Sequence, residues 1–254
     1  MKRVLVTGAN GQLGLALQAA AKDFPLDLVF LDKNTLDITD PQAVKEVFGD
    51  QAFDVCINAA AYTDVDGAET NKEFAYAINT TAVETLAKAC KQHGCWLVHI
   101  STDYVFDGTL DRPYTPEDTP SPLNVYGASK LAGEQAIQAI DGTYSIVRTS
   151  WLYSHYGNNF YTKLQAQLGA GKTLQVTADQ KGCPTRAEDL AAHLLTGVAE
   201  AKLEKGISHY CGSELMTWLD LARRLFPNHE VLEWSGANSP TIRPKKVVLK
   251  NNNS

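Results

Sequence analysis

The first fourteen residues constrain this chain more than any other stretch. Val4-Leu5-Val6 is a short strand-forming run, and it breaks directly into Thr7-Gly8-Ala9-Asn10-Gly11-Gln12-Leu13-Gly14. A helix is expected from about Gln12 to Lys22. Glycines spaced three apart between a strand and a helix have separate uses. Gly8 permits the tight turn, Gly11 lets the backbone approach a pyrophosphate, and Gly14 lets helix and strand pack closely. The helix start then faces the phosphates with free N–H groups and a positive dipole end. A second strand, Leu28-Val29-Phe30-Leu31, leads to Asp32, 18 residues after Gly14. An acidic side chain there can accept bonds from the adenosine ribose hydroxyls. The pattern predicts a dinucleotide site. Asp32 favours NADH and the adjacent Lys33 tolerates the extra phosphate of NADPH, so both cofactors stay open.

The rest of the chain keeps the same rhythm to residue 150. Pro41 to Phe48 reads as a helix with Asp40 as its N-cap. Strands are expected at Asp54–Asn58, Trp96–Ile100 and Ser145–Arg148. A long helix is expected from about Lys72 to His93, and another near Val125 to Ala139 after Pro122. Strands alternating with helices at crossover length imply a parallel sheet covered on both faces. The expected class is α/β, a Rossmann-type doubly wound parallel sheet. Residues 1–150 form the dinucleotide-binding domain in this reading. Residues 151–254 complete that domain and form a smaller C-terminal substrate-binding lobe, with helices at Glu188–Ala201 and Thr217–Phe226.

Composition narrows the partners. The net charge is -6 and no basic run exceeds two residues, so nucleic acid is not an expected partner. No apolar run approaches the roughly 20 residues a membrane helix needs. Lys2-Arg3, an apolar stretch and Ala19-Ala20-Ala21 imitate a secretion signal, but Asn10, Gly11 and Gln12 interrupt it. The cysteines number five with no C-x-x-C, which excludes a disulfide framework and a zinc site and fits a reducing, cytoplasmic setting.

A second constellation carries the chemistry. The fourth strand ends in Ser101-Thr102-Asp103-Tyr104, and Tyr126-Gly127-Ala128-Ser129-Lys130 follows. Tyr126 and Lys130 are four apart and share one helix face. A tyrosine ionises near pH 10, and a neighbouring ammonium lowers that value. The phenol can then give a proton to a carbonyl oxygen as hydride reaches the carbon. Thr102, at the carboxyl end of a parallel strand, is placed to hold the same oxygen.

These segments resemble the extended short-chain dehydrogenase/reductase family, and within it the reductases of nucleotide-linked 4-keto-6-deoxyhexoses. The likeness runs from residue 1 to about 248. It includes Val6 to Gly14, Leu36-Asp37-Ile38-Thr39-Asp40, Asn58 to Asp66, Ser101 to Gly108, Pro122 to Gly127, Arg148-Thr149-Ser150-Trp151 and Gly157-Asn158-Asn159-Phe160. Asp179-Gln180 and Arg243-Pro244 are weaker echoes. The resemblance implies that Gly11, Gln12 and Leu13 line the pyrophosphate and that Asp32, Asp37 and Ile38 surround the adenosine. It implies Ala61, Tyr62 and Thr63 beside the cofactor, and Tyr126 and Lys130 on the nicotinamide ribose. Thr102, Asp103 and Trp151 would meet a nucleotide-sugar substrate.

Two departures matter. Some relatives carry a glutamate, part of a magnesium site at a dimer contact, where this chain has Ala16. A monomer or a metal-independent dimer is therefore expected, with no metal. Val247-Val248-Leu249 replaces a serine-containing stretch, which implies a reshaped substrate lobe. Sugar-nucleotide 4,6-dehydratases place Asp-Glu after the threonine, but Asp103-Tyr104 lacks the second acid. 4-Epimerases match these segments less well. Intact Thr102, Tyr126 and Lys130 argue against a non-catalytic NADP-binding subunit of the same fold.

Overall fold

The computed structural model describes residues 1–234 and 241–252. Its first half alternates strictly: β1 (Lys2–Thr7), α1 (Gln12–Ala20), β2 (Leu26–Leu31), α2 (Pro41–Asp50), β3 (Val55–Asn58), α3 (Val65–Thr70), α4 (Lys72–Tyr76), α5 (Ala82–Gln92), β4 (Trp96–Thr102), α6 (Val125–Ala139) and β5 (Tyr144–Thr149). Then come β6 (Leu152–Tyr153), α7 (Phe160–Gly169), β7 (Leu174–Val176), β8 (Lys181–Gly182), β9 (Thr185–Arg186), α8 (Ala187–Ala199), β10 (Gly206–His209), β11 (Met216–Thr217), α9 (Trp218–Leu225) and β12 (Val231–Glu233).

The main sheet has the order β2-β1-β3-β4-β5-β10 and is parallel throughout. Its strands are buried on both faces, so they read as near-continuous apolar runs. Val4, Val6, Ile57, Val98 and Val147 pack on one side with α1 and α8. Leu5, Cys56, Leu97 and Ile146 point the other way, against α2 and α5 and Ile137 of α6. The winding reverses between β1 and β3, and open sheets place ligands at that switch point.

Local signals explain most boundaries. The Asp40 side chain accepts from the N–H groups of Gln42 and Ala43, capping α2 with Pro41 in its first turn. The expected single helix from Lys72 to His93 is instead α4 and α5 joined by a π-helical turn, Ala77–Thr81. There Asn79 turns inward, accepts from Tyr62 N at 2.9 Å and donates to Ser129 Oγ at 3.0 Å. A π-turn absorbs the extra residue this requires. Side-chain caps that the spacing did not reveal include Asp64 on α3, Asn159 with Thr162 as a capping box on α7, and Thr217 with Asp220 as a capping box on α9.

After Trp151 the chain serves two structures. α8 and β10 return to the main sheet, whereas three pairs of two- or three-residue strands (β6 with β9, β7 with β12, β8 with β11) build a lobe. Leu164, Leu174, Val176, Leu219 and Phe226 fill it. Residues 241–252 fold back: Val247 and Leu249 pack with Val105, Phe106 and Tyr114. Among the described residues no helix is long and apolar enough to cross a membrane.

Candidate active site

The glycine loop opens into a cavity of about 250 Å³ between β1 and β3. Gly8, Gly11, Lys33, Asp37, Ile38 and Ala61 are on its wall. Gly8 has φ +67, and a Cβ there would lie 2.6 Å from Ala60 N. A Cβ on Gly14 would collide with the carbonyl oxygen of Gly8, so helix and loop meet only through glycine. No side chain caps α1, whose N-cap is Gly11. Its first-turn N–H groups can therefore serve an anion, which fits the pyrophosphate of a dinucleotide.

The other expected cofactor residues fall in different places. Gln12 begins α1, and its Nε2 donates to Leu152 O at 3.3 Å. Leu13 is buried in the core, which leaves only its main chain for a ligand. Asp32 is taken up by its own turn: it accepts from Thr35 Oγ1 and Asn34 N, and from Asn10 Nδ2 at 2.6 Å. Lys33, rather than Asp32, reaches the cavity wall. Asp37 accepts from Thr39 Oγ1 and N, and these bonds hold its carboxyl below the usual range. The Tyr62 main chain is clamped by Asn79, and Thr63 beyond it is exposed. Phe74 and Ile78 complete the cavity. Their sequence neighbourhood reads only as a helix face, so spacing does not single them out.

At the end of β4 the hydroxyl groups converge. The Thr102 hydroxyl donates to Asp103 Oδ1 at 3.2 Å and accepts from Tyr104 N at 3.2 Å. Asn124 caps α6 by accepting from Gly127 N at 2.8 Å. Gly127 lies against the carbonyl of Tyr104, closer than a side chain would allow. The helix is thus clamped against the turn after β4, and the Tyr126 ring meets Tyr104 edge-on at 5.6 Å. Thr102 stands beside Tyr126 and favours its ionised form. Asp103 is buried, and burial pushes its carboxyl up to about 7 against the opposing bond from Thr102.

One expectation is corrected here. Lys130 does not lower the ionisation of Tyr126 in this structure. Burial raises the phenol; Asp103 and Tyr104 add to the rise, and only Thr102 opposes it. The reason is geometric: Lys130 Nζ donates to Ile100 O at 2.7 Å and lies 3.2 Å from His99 Nε2. Burial brings Lys130 down to about 8, with Glu134 pulling the other way. Glu134, one turn further along α6, is bridged to Arg148 of β5 at 2.6 Å and accepts from Ser101 Oγ at 2.5 Å. Glu134 and His99 escaped the sequence reading. Glu134 shares the face of Tyr126 and Lys130 at i+4 spacing, a signal that was available.

Trp151 follows two residues after Thr149, the β5 partner of Thr102. It has φ +47, and its ring stacks on Trp218 at 3.7 Å and 1°. A Cβ on Gly182 would come within 2.6 Å of the indole. The tryptophan ring is thus packed against Gly182 and Trp218. Among the described residues no three His, Cys, Asp or Glu side chains gather as metal ligands.

The RmlD substrate binding domain model matches residues 1–253. A dTDP-4-dehydrorhamnose reductase of Mycobacterium tuberculosis is 41% identical over 248 residues, 96% of this chain and 79% of the relative. One from Escherichia coli is 40% identical over 231 residues, 88% of this chain and 77% of the relative. The crystal structure of dTDP-4-dehydrorhamnose reductase from Bacillus anthracis in complex with NADP superposes with a TM-score of 0.92 at 39% identity, covering 99% of this chain and 91% of that one. With a parallel sheet, a glycine cleft at its switch point and hydroxyls gathered at the end of β4, the chain belongs to the RmlD substrate binding domain family, that of the dTDP-4-dehydrorhamnose reductases.

Proposed function

We infer that this chain reduces the C4 ketone of a nucleotide-linked 6-deoxyhexose, dTDP-4-dehydro-L-rhamnose to dTDP-L-rhamnose, with NADPH or NADH. The observation that carries the reading is the meeting of Thr102 and Tyr126 at the end of β4, one helical turn from Lys130. The nicotinamide supplies a hydride to the carbonyl carbon. Tyr126 gives its proton to the carbonyl oxygen, and Thr102 holds that oxygen by a hydrogen bond. Lys130 holds the cofactor ribose. Gly8, Gly11 and the start of α1 seat the pyrophosphate, and Asp37, Ile38 and Ala61 flank the adenosine side. Asp103 and Trp151 hold the sugar nucleotide, with residues 151–252 supplying the lobe that closes over it. Ala16 is buried and carries no ligand atom, which supports a monomer or a metal-independent dimer. Mixing the protein with NADPH and dTDP-4-dehydro-L-rhamnose should oxidise the cofactor and give dTDP-L-rhamnose by NMR. Recovery of unchanged ketone would overturn the assignment.

A further inference from the structure

Lys130 is one of three buried charged side chains where α6 crosses β4 and β5. The others are Glu134, one turn along the helix, and Arg148 of β5, and none of the three is more than 2% exposed. Two cations therefore share one anion in a place closed to water. Such a set is tolerated only if the carboxylate is fixed where it serves both.

The carboxylate is fixed. Arg148 Nε donates to Glu134 Oε1 at 3.0 Å and Arg148 Nη2 donates to Oε2 at 2.6 Å, while Ser101 Oγ also donates to Oε1. Ser101 and Arg148 are partners in the register of β4 and β5, so Glu134 is tied to both strands at one level. The Arg148 guanidinium lies 5.1 Å from the centre of the Phe106 ring, which holds it from the other side. Gly133, just before Glu134, is pressed on the Asn79 carbonyl so closely that an added Cβ would lie 2.1 Å from its oxygen. Lys130 and Glu134 are four apart and share a face of the helix. Lys130 Nζ donates to Ile100 O, and Glu134 takes the hydroxyl of the next residue, Ser101. Lysine and carboxylate thus lie against successive residues of one strand.

Burial by itself favours an uncharged lysine. Glu134 opposes it, and the balance leaves Lys130 at about 8. That value is close enough to neutral pH for one anion to decide the charge. An ammonium has three donors, of which Ile100 O takes one, and an amine has one donor fewer.

We propose that Glu134 is a positioning residue for Lys130: clamped by Ser101 and Arg148, its carboxylate keeps the lysine an ammonium that holds the cofactor ribose at neutral pH. This rests on the place given to Lys130 in the reduction proposed above.

The other groups around the lysine do not replace Glu134. On β4, His99 lies 3.2 Å from Nζ, is bonded onward to Asn58 and Thr7, and is held neutral by burial and by Lys130 itself. On α6, burial keeps Tyr126 a neutral phenol, and after β4 Asp103 and Tyr104 act on that phenol. The π-turn contains no ionisable residue. From α3, Glu69 meets the start of α6 at Val125 N, and Asp66 is bridged to Arg243. On α4, Lys72 and Glu73 are exposed. From α5, Lys91 reaches the far end of α6 at Ile140 O, and Glu84 pairs with Lys88 on the surface.

Glu134→Gln keeps the shape and removes the charge. Carbon-13 NMR of lysine-labelled protein follows the titration of Lys130, with Lys130→Met identifying its signal. The parent should titrate near 8, and Glu134→Gln lower by about one unit or more. Arg148→Met breaks the same bridge from its other end. It removes a cation and leaves the anion, so Lys130 should titrate higher than in the parent. Mere loosening of the helix would shift both variants the same way. NADH affinity should follow the lysine. The parent should lose affinity as pH rises through about 8, and Glu134→Gln about one unit earlier, with affinity kept at the acid end where both lysines are charged. Equal titrations in the parent and Glu134→Gln overturn the proposal. Shifts of one sign in the two variants, or a shifted lysine with an unmoved NADH profile, overturn it as well. If Glu134→Gln fails to fold, Arg148→Met and the parent decide: no rise in the first, or a lysine already uncharged at neutral pH in the second, overturns it. Neither measurement needs turnover. A protein that shows these shifts and leaves the ketone unreduced would sink the proposed function and leave the role of Glu134 standing.

Discussion

The cleft by the glycine loop and the cluster at the end of β4 are built on opposite plans. The first presents main chain and small side chains: Gly8, Gly11 and Ala59 to Ala61. The second presents long side chains, where burial and close neighbours displace the ionisation of Asp103, Tyr126 and Lys130. A surface made of backbone fails when atoms are added to it. A cluster of functional groups fails when atoms are removed, and it responds to pH in a way that backbone does not.

The sharpest test of this contrast removes one oxygen. Tyr126→Phe should lower the hydride-transfer rate by about 10²–10⁴ at saturating cofactor and substrate. Cofactor affinity should hold, because the ring still packs on Tyr104. A rate within about threefold of the parent, far below what a placed acid supplies, would mean that another group donates the proton.

Adding one carbon on the other side should act on stability and binding instead. Gly8→Ala combines a left-handed backbone, which costs an ordinary residue about 1–2 kcal/mol, with overlap on Ala60 worth about 1–3 kcal/mol. A melting curve should show a loss of about 3 kcal/mol by these two terms, with cofactor binding weakened alongside. An unchanged melting temperature would show that the loop has room, and the contrast between the two regions would fail.

The smallest expected effect lies at the rim. Asp32 is exposed and already accepts four hydrogen bonds within its turn and from Asn10. Its charge still stands beside Lys33 on the cavity wall, where it would oppose a 2′-phosphate. Asp32→Ala should shift the ratio of kcat/KM values toward NADPH. A shift toward NADH would mean that Asp32 matters only as the fastener of its turn.

The two regions also differ in how far they can be read from the chain. The glycine loop, β1 to β5 and α6 are continuous segments whose period, caps and turn residues are local, so the order of residues states them directly. A helix near Val125 to Ala139 was expected after Pro122, and α6 has those bounds; the Asn124 cap at its start is a local feature too. The lobe is different. Its strands β6, β8, β9 and β11 have two residues each, shorter than any alternation can register. Asn251 and Asn252 read as a polar tail, yet Cys211 N donates to Asn251 Oδ1 and His209 N to Asn252 Oδ1.

By itself the sequence determined the sheet class, the phosphate-binding loop, the Thr102, Tyr126 and Lys130 set, and the family. Each is a pattern within some 20 residues or a match along the whole chain. Only the tertiary structure decided what surrounds Lys130. Thr7 and Asn58 are 51 positions apart, Asn58 and His99 41, and His99 and Lys130 31. No local period links them. They meet because β1, β3 and β4 lie side by side in the sheet and α6 crosses over them, and burial then turns ordinary side chains into groups whose protons depend on one another.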